Sequence, residues 1–179
     1  MLISGKELEQ KGLEKAVESV AIAARTAPKG KGIDNLVTAV ATEEIIERLR
    51  DRMYQIAQES GRAFFERDAD NLKQTSYVLL LGTKIKQMGI NPCGYCGFDN
   101  CDKNKENSGV CAFNTGDLGI AIGSAVSKAA DLRIDNRVMF SAGKAALDLG
   151  LLEEDVKIVY AIPLFVGGKN IYFDRKPKK

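Results

Sequence analysis

All four cysteines of this 179-residue chain stand between Cys93 and Cys111, in a stretch without the apolar periodicity found on either side. Two residues separate Cys93 from Cys96, four lie before Cys101 and nine before Cys111, so one short segment can bring four thiolates to a single site. From Gly89 to Gly116 the composition turns to Gly, Asn, Cys, Asp and Lys. That change predicts an irregular lobe (89–116), ordered by a bound group rather than by apolar burial, inserted into one domain spanning residues 1–179. Four cysteines are too sparse for a disulfide scaffold, and clustered thiols in a reducing compartment read as metal-binding or catalytic.

The chain has no histidine. This removes the usual general base near neutral pH, the Ser-His and Cys-His nucleophile pairs, and every imidazole metal ligand. Any proton donor would be a tyrosine, lysine, cysteine, carboxylate or water. Four soft thiolates favour zinc or an iron-sulfur cluster over magnesium or calcium. Structural zinc usually takes two short cysteine pairs, and only one is present; a cubane spreads its ligands over four irons and suits unequal spacing better. A redox dithiol at Cys93 and Cys96 is a third possibility, which leaves Cys101 and Cys111 unexplained.

With 26 basic and 24 acidic side chains the formal charge is +2, which provides no strong field for nucleic acid or an anionic membrane. No run approaches the roughly 18 apolar residues of a spanning helix. Met1 to Gln10, with Lys6, Glu7 and Glu9, does not read as a signal peptide. A cytoplasmic protein with no nucleic-acid or membrane partner is the expectation.

Leu13, Val17, Val20, Ala21 and Ala24 predict a helix ending near Thr26, and Thr26 to Gly32 reads as a loop. Asn35 to Ala41 reads as a buried strand. A helix then starts at Thr42, carries Ile45, Leu49, Met53 and Ile56 on one face, and stops at Gly61. Asp68, Asp70 and Asn71 mark a polar turn, without the glycine and distal glutamate of a calcium loop. Tyr77 to Leu81 reads as a central strand ending at Gly82. After the cysteines, Asp117 is a candidate cap for a helix carrying Leu118, Ala121, Ile122, Ala125, Val126 and Ala129, with Gly119 and Gly123 placed for close helix approach. Asp135, Asn136 and Arg137 read as a capping turn with an Asp-Arg pair. Ser141 to Leu149 is a helix, Val156 to Ile162 a strand ended by Pro163, Ile171 to Phe173 an edge or exchanged strand, and Lys176 to Lys179 a solvated end. Long helices with a few strands and no strict alternation predict an α+β layered fold.

The segment Cys93-Gly94-Tyr95-Cys96-Gly97-Phe98-Asp99-Asn100-Cys101 resembles the three-cysteine block of small 4Fe-4S domains in corrinoid iron-sulfur proteins and membrane electron-transport subunits. The fourth cysteine of those domains lies further on than Cys111, so Cys111 is assigned by completing the ligand count. Ala23 to Gly30, Asp117 to Gly123, Ala161-Ile162-Pro163 and the basic end at Arg175 are similar to blocks of the FMN-dependent nitroreductase fold. With Asp135 to Met139 and Phe173-Asp174-Arg175, the whole chain resembles a family of uncharacterised ferredoxin-domain proteins of bacteria and archaea.

The resemblance implies a nitroreductase-like layered fold with an inserted cysteine-rich iron-sulfur lobe, and a 4Fe-4S cluster on Cys93, Cys96, Cys101 and Cys111. It also implies a homodimer, with FMN phosphate near Arg25, Lys29, Lys31 and Arg175, although the nitroreductases' N-terminal arginine-serine motif is missing here. Each basic residue also reads as ordinary surface charge. The implied work is electron transfer, or a flavin-linked oxidation or reduction, with a redox protein as partner. The competing expectation is a binding or scaffold protein with structural zinc and a degenerate flavin pocket.

Overall fold

The most apolar run of the chain sets the architecture. Tyr77–Lys84 forms strand β2, in which Val78, Leu79, Leu80 and Leu81 are all buried. Successive strand side chains point to opposite faces, so β2 needs an apolar cover on both. Burying each leucine contributes about 1.5–3 kcal/mol. In the computed structural model, which describes residues 1–174, β1 (Leu36–Ala41) and β4 (Val156–Phe165) flank β2 antiparallel. The two-residue β3 (Asp135–Asn136) pairs with the outer edge of β4, giving the order β1-β2-β4-β3.

Leu79 and Leu81, with Leu36, Ile162 and Leu164, pack against α1 (Gly5–Arg25) and α5 (Ala112–Asp131). Val78 and Leu80, with Ala41, Val159 and Ala161, pack on the opposite face against α2 (Glu43–Ser60), α3 (Ala63–Asn71) and α6 (Phe140–Asp148). The result is the predicted mixed α+β fold: one sheet between two helical layers. Ser4 caps α1 by accepting from the Glu7 N–H at 3.2 Å. Gly61 ends α2 in the left-handed region, φ 67°, with its N–H on the Ala57 carbonyl. The tail Lys176 to Lys179 lies outside the described residues.

Several boundaries differ from the sequence expectation. Helix α5 starts at Ala112, not behind Asp117, because the Cys111 carbonyl already accepts from the N–H groups of Asn114 and Thr115. The lobe is correspondingly shorter and contains a small helix, α4 (Cys101–Glu106). Gly119 and Gly123 have no atom within 4 Å of where a Cβ would stand. Approach of α5 to α1 goes instead through Ala121, Ala125 and Ala129, with the Ser124 hydroxyl donating to the Ala23 carbonyl at 2.7 Å. Asp68, Asp70 and Asn71 lie in α3 rather than in a turn, since Phe65, Ala69 and Leu72 supply a buried stripe.

Gly82 does not end β2: a Cβ there would lie 2.7 Å from Val156 Cγ1, so the glycine admits close packing inside the strand. Pro163 does not end β4. Ala161 exchanges two backbone bonds with Met139, so the Pro163 nitrogen, two residues on, faces the gap between β3 and Met139 where no ladder donor is needed. Ile171 to Phe173 forms no strand. Tyr172 is buried there, its hydroxyl 3.0 Å from Thr75 Oγ1, and burial pushes its phenol pKa well up. Among the described residues no helix is long and apolar enough to cross a membrane.

Candidate metal centre

The lobe is fastened to the frame by buried amides. Asn114, in the first turn of α5, donates Nδ2 to the carbonyls of Lys84 at 3.0 Å and Lys86 at 2.6 Å, and its Oδ1 accepts from Asn35 Nδ2 at 3.0 Å. The end of β2 is thereby tied to the helix that carries Cys111. Beyond it, Gly94 and Gly97 adopt φ of 81° and 85°, which side chains disfavour, and the Gly97 N–H closes a turn onto the Gly94 carbonyl at 2.9 Å. This turn holds Cys93 and Cys96 at the two ends of a tight loop. Tyr95, within it, stacks on Phe113 of α5 with centroids 5.6 Å apart.

Cys101 opens α4, whose cap is Asn100, the Oδ1 accepting from the Lys103 N–H at 2.9 Å. Cys111 caps the 20-residue α5, where the aligned peptide dipoles favour negative charge. Cys111 is buried and the other three cysteines are half-buried. All four line one cavity, whose wall also includes Met88, Ile90 and Phe113 and contains no carboxylate. A donor set of sulfur alone suits zinc or an iron-sulfur cluster. Among the described residues, no three Cys, Asp or Glu side chains converge on a point that would hold one ion.

The basic positions have local partners. Arg25, in the last turn of α1, pairs with Asp34 at 2.5 Å and donates to the Leu36 carbonyl at 3.0 Å. The Lys29 ammonium donates to the carbonyls of Arg25 and Ala27. Lys31 donates to the Met88 carbonyl at 3.2 Å, and Arg175 lies outside the described residues. Their loop nevertheless abuts the cysteine cavity. A Cβ on Gly30 would stand 3.1 Å from Met88 Cε and 3.2 Å from Phe113 Cδ1, both wall residues, and the Gly30 N–H donates to the Asp117 carboxylate at 3.0 Å.

Asp135 and Asn136 form strand β3 rather than a capping turn. Asp135 accepts from Asn170 Nδ2, whereas Arg137 stands 3.6 Å from Asp68 and donates to the Tyr172 carbonyl. Buried Asp68 also receives the Ser141 hydroxyl at 2.6 Å and the Arg67 guanidinium at 2.8 Å. This cluster anchors residues 170–174 to the frame. The buried amides Asn35, Asn104 and Asn114 carry no sequence signal of their own, because the partners that bury them lie on distant segments.

The model of the family described as uncharacterized proteins containing a ferredoxin domain (DUF2148) matches residues 107–175, which include Cys111. A protein of Archaeoglobus fulgidus, described as uncharacterized, is 40% identical over 188 residues, covering the whole of both chains. Among solved structures, a nitroreductase with bound FMN from Bacteroides fragilis superposes with TM-score 0.62 at 13% identity, covering 100% of this chain and 86% of that one. A BluB-like flavoprotein from Clostridium difficile gives 0.61 at 19% identity, with coverages of 100% and 86%. The FMN-dependent nitroreductase NfnB from Mycobacterium smegmatis, in complex with NADPH, gives 0.60 at 13%, with coverages of 93% and 84%. At these identities the likeness is one of fold. The chain is thus a member of the family of uncharacterized proteins containing a ferredoxin domain, built on a nitroreductase-like frame.

Proposed function

We propose that this redox-family protein is an electron carrier holding a 4Fe-4S cluster on Cys93, Cys96, Cys101 and Cys111. The observation that carries this is that all four cysteines line one cavity with no carboxylate in its wall. When bound, such a cluster supplies one-electron chemistry. The chain's own contribution is positional. The Gly94 to Gly97 turn, Asn100, Cys111 at the start of α5 and the Tyr95–Phe113 stack fix where the four sulfurs stand, and Met88 and Ile90 add apolar wall.

FMN is the proposed second group, supported by the bound flavin of the Bacteroides fragilis relative in fold. The loop carrying Lys29 and Lys31 is the proposed phosphate side, because it touches the cavity wall through Gly30, which would put flavin and cluster next to each other. Lys29 and Lys31 would exchange carbonyl partners for phosphate oxygens. A homodimer is proposed through the outer face of α1 and α5, where Ile22 is 62% and Ile120 49% exposed beside the open Gly119 and Gly123.

The test is an absorption spectrum with iron, sulfide, zinc and flavin analysis on protein purified without oxygen. The expected result is about four irons per chain and a brown colour that dithionite bleaches. Zinc at about one per chain, in colourless protein, would overturn electron transfer through this lobe.

A further inference from the structure

Asn104 is the one residue of α4 with no exposed surface, and it lines the same cavity as Cys101 and Cys111. Its hydrogen bonds can be counted completely. The main-chain N–H donates to the Asn100 carbonyl at 3.2 Å, and the main-chain carbonyl accepts from the Gly109 N–H at 2.8 Å. Side-chain Oδ1 accepts from Gln87 Nε2 at 2.6 Å, and Nδ2 donates to the Val110 carbonyl at 3.1 Å. An asparagine amide carries two hydrogens, and Nδ2 has no second acceptor among the described residues. One of the two N–H bonds is matched by Val110 and the other is left without an acceptor of its own beside the cavity that Asn104 lines.

The surroundings are built for this amide. A Cβ on Gly109 would fall 2.8 Å from Asn104 Nδ2 and 2.8 Å from Phe98 Cε2, so only glycine lets the Gly109 to Val110 loop close over it. Gln87 spans the same loop, since Nε2 also stands 3.4 Å from the Gly109 carbonyl. The contacts join α4, which begins at Cys101, to the two residues before Cys111.

We propose that Asn104 is the positioning residue of the metal centre: it fixes the spacing of Cys101 and Cys111 and directs its free Nδ2 hydrogen to an anionic sulfur of the bound group. This rests on the cluster reading above. A hydrogen bond to a cluster sulfur favours the reduced, more negative state, so removing it lowers the midpoint potential. Gln87 orients the amide by occupying Oδ1, which leaves Nδ2 facing Val110 and the cavity.

The test uses the full chain, reconstituted without oxygen with ferrous iron and sulfide, as wild type, Asn104→Asp and Asn104→Leu. Both variants should fold with unchanged far-ultraviolet circular dichroism, lose iron to a chelator about 10–100 times faster, and show a lower midpoint potential. A tenfold change in the oxidised-to-reduced ratio corresponds to about 59 mV for one electron. Wild-type protein supplies a readout that survives misfolding of either variant. Pulsed electron paramagnetic resonance of the reduced cluster, with asparagine-specific nitrogen-15 labelling and exchange into deuterated water, should show an exchangeable proton on a coupled side-chain nitrogen. Absence of that coupling in iron-loaded wild type overturns the proposal, as do folded variants with wild-type potential and iron retention. Wild type that takes up no iron overturns the cluster reading itself, an outcome separate from either of these.

Discussion

The sheet with its five covering helices and the cysteine lobe are held together by different physics. In the frame, β2 buries four consecutive apolar residues and each helix adds a stripe of Leu, Ile, Val, Met or Ala, so cohesion is spread over many small contacts. Between residues 85 and 116 only Met88 and Cys111 are buried apolar residues, and shape comes from Asn104, Asn114, Gln87 and two glycines with positive φ. Apolar cohesion tolerates replacement by another side chain of similar size. A buried amide whose two ends serve different segments has no such substitute, because its loss leaves several groups unmatched at once.

The largest expected effect breaks the frame and spares the site. Leu81→Ala, which opens a cavity between β2 and the α1–α5 layer, should destabilise the protein by about 2–5 kcal/mol in urea unfolding. Metal content per folded molecule should stay unchanged, and loss of metal in proportion to stability would show that the two regions are one unit. Next is the joint. Asn114→Ala frees the carbonyls of Lys84 and Lys86 and the Asn35 amide, which should cost about 1–3 kcal/mol. Hydrogen exchange should then accelerate around residues 84–90 far more than in β4, and uniform acceleration would count against a local fastening.

Gly109→Ala sharpens the contrast from the other side. Its Cβ meets the Asn104 amide and the Phe98 ring, so the urea midpoint should move less than in Asn114→Ala while metal retention falls. A fall in stability without loss of metal would reverse the assignment of this loop to the site.

The smallest effect is titration on the frame surface. Arg52 donates to both Glu59 and Asp148. The Arg52 guanidinium holds the Glu59 carboxyl below its ordinary range. Burial raises Asp148, but Lys144 and Arg52 together outweigh it and hold that carboxyl low as well. Carboxyl groups depressed in the folded state contribute stability above their unfolded pKa and lose it as pH falls through the folded one. Stability should therefore decline on acidification from about pH 5, slightly less steeply in Arg52→Met, as measured by urea midpoints across that range. Glu59 is exposed and the pairs lie at the protein surface, so the difference is small and fades in high salt.

Much of the frame was legible because its signals are local. Leu13, Val17, Val20 and Ala24 announce α1, and Gly61 announces the end of α2, through periodicity and a left-handed stop. The failures occurred where local chemistry was overruled by neighbours. Asp68 looks like a turn residue, yet Ser141, Arg67 and Arg137 give it partners inside a helix. Pro163 looks like a strand end, yet its missing donor faces the gap beside β3. Asp117 looks like a cap, yet its carboxylate binds the Gly30 N–H across 87 positions of sequence.

By itself, the sequence determined that long helices and a few buried strands form a layered α+β fold, and that any metal held between Cys93 and Cys111 would be held by sulfur, because apolar period and ligand type are carried by neighbouring residues. Only the tertiary structure decided that Cys111 stands at the mouth of α5 in the same cavity as the other three thiols, and that Gly30 lies against this cavity. Those facts depend on amide and carboxylate contacts between distant segments, and a side chain's distant partner is not written in the residues beside it.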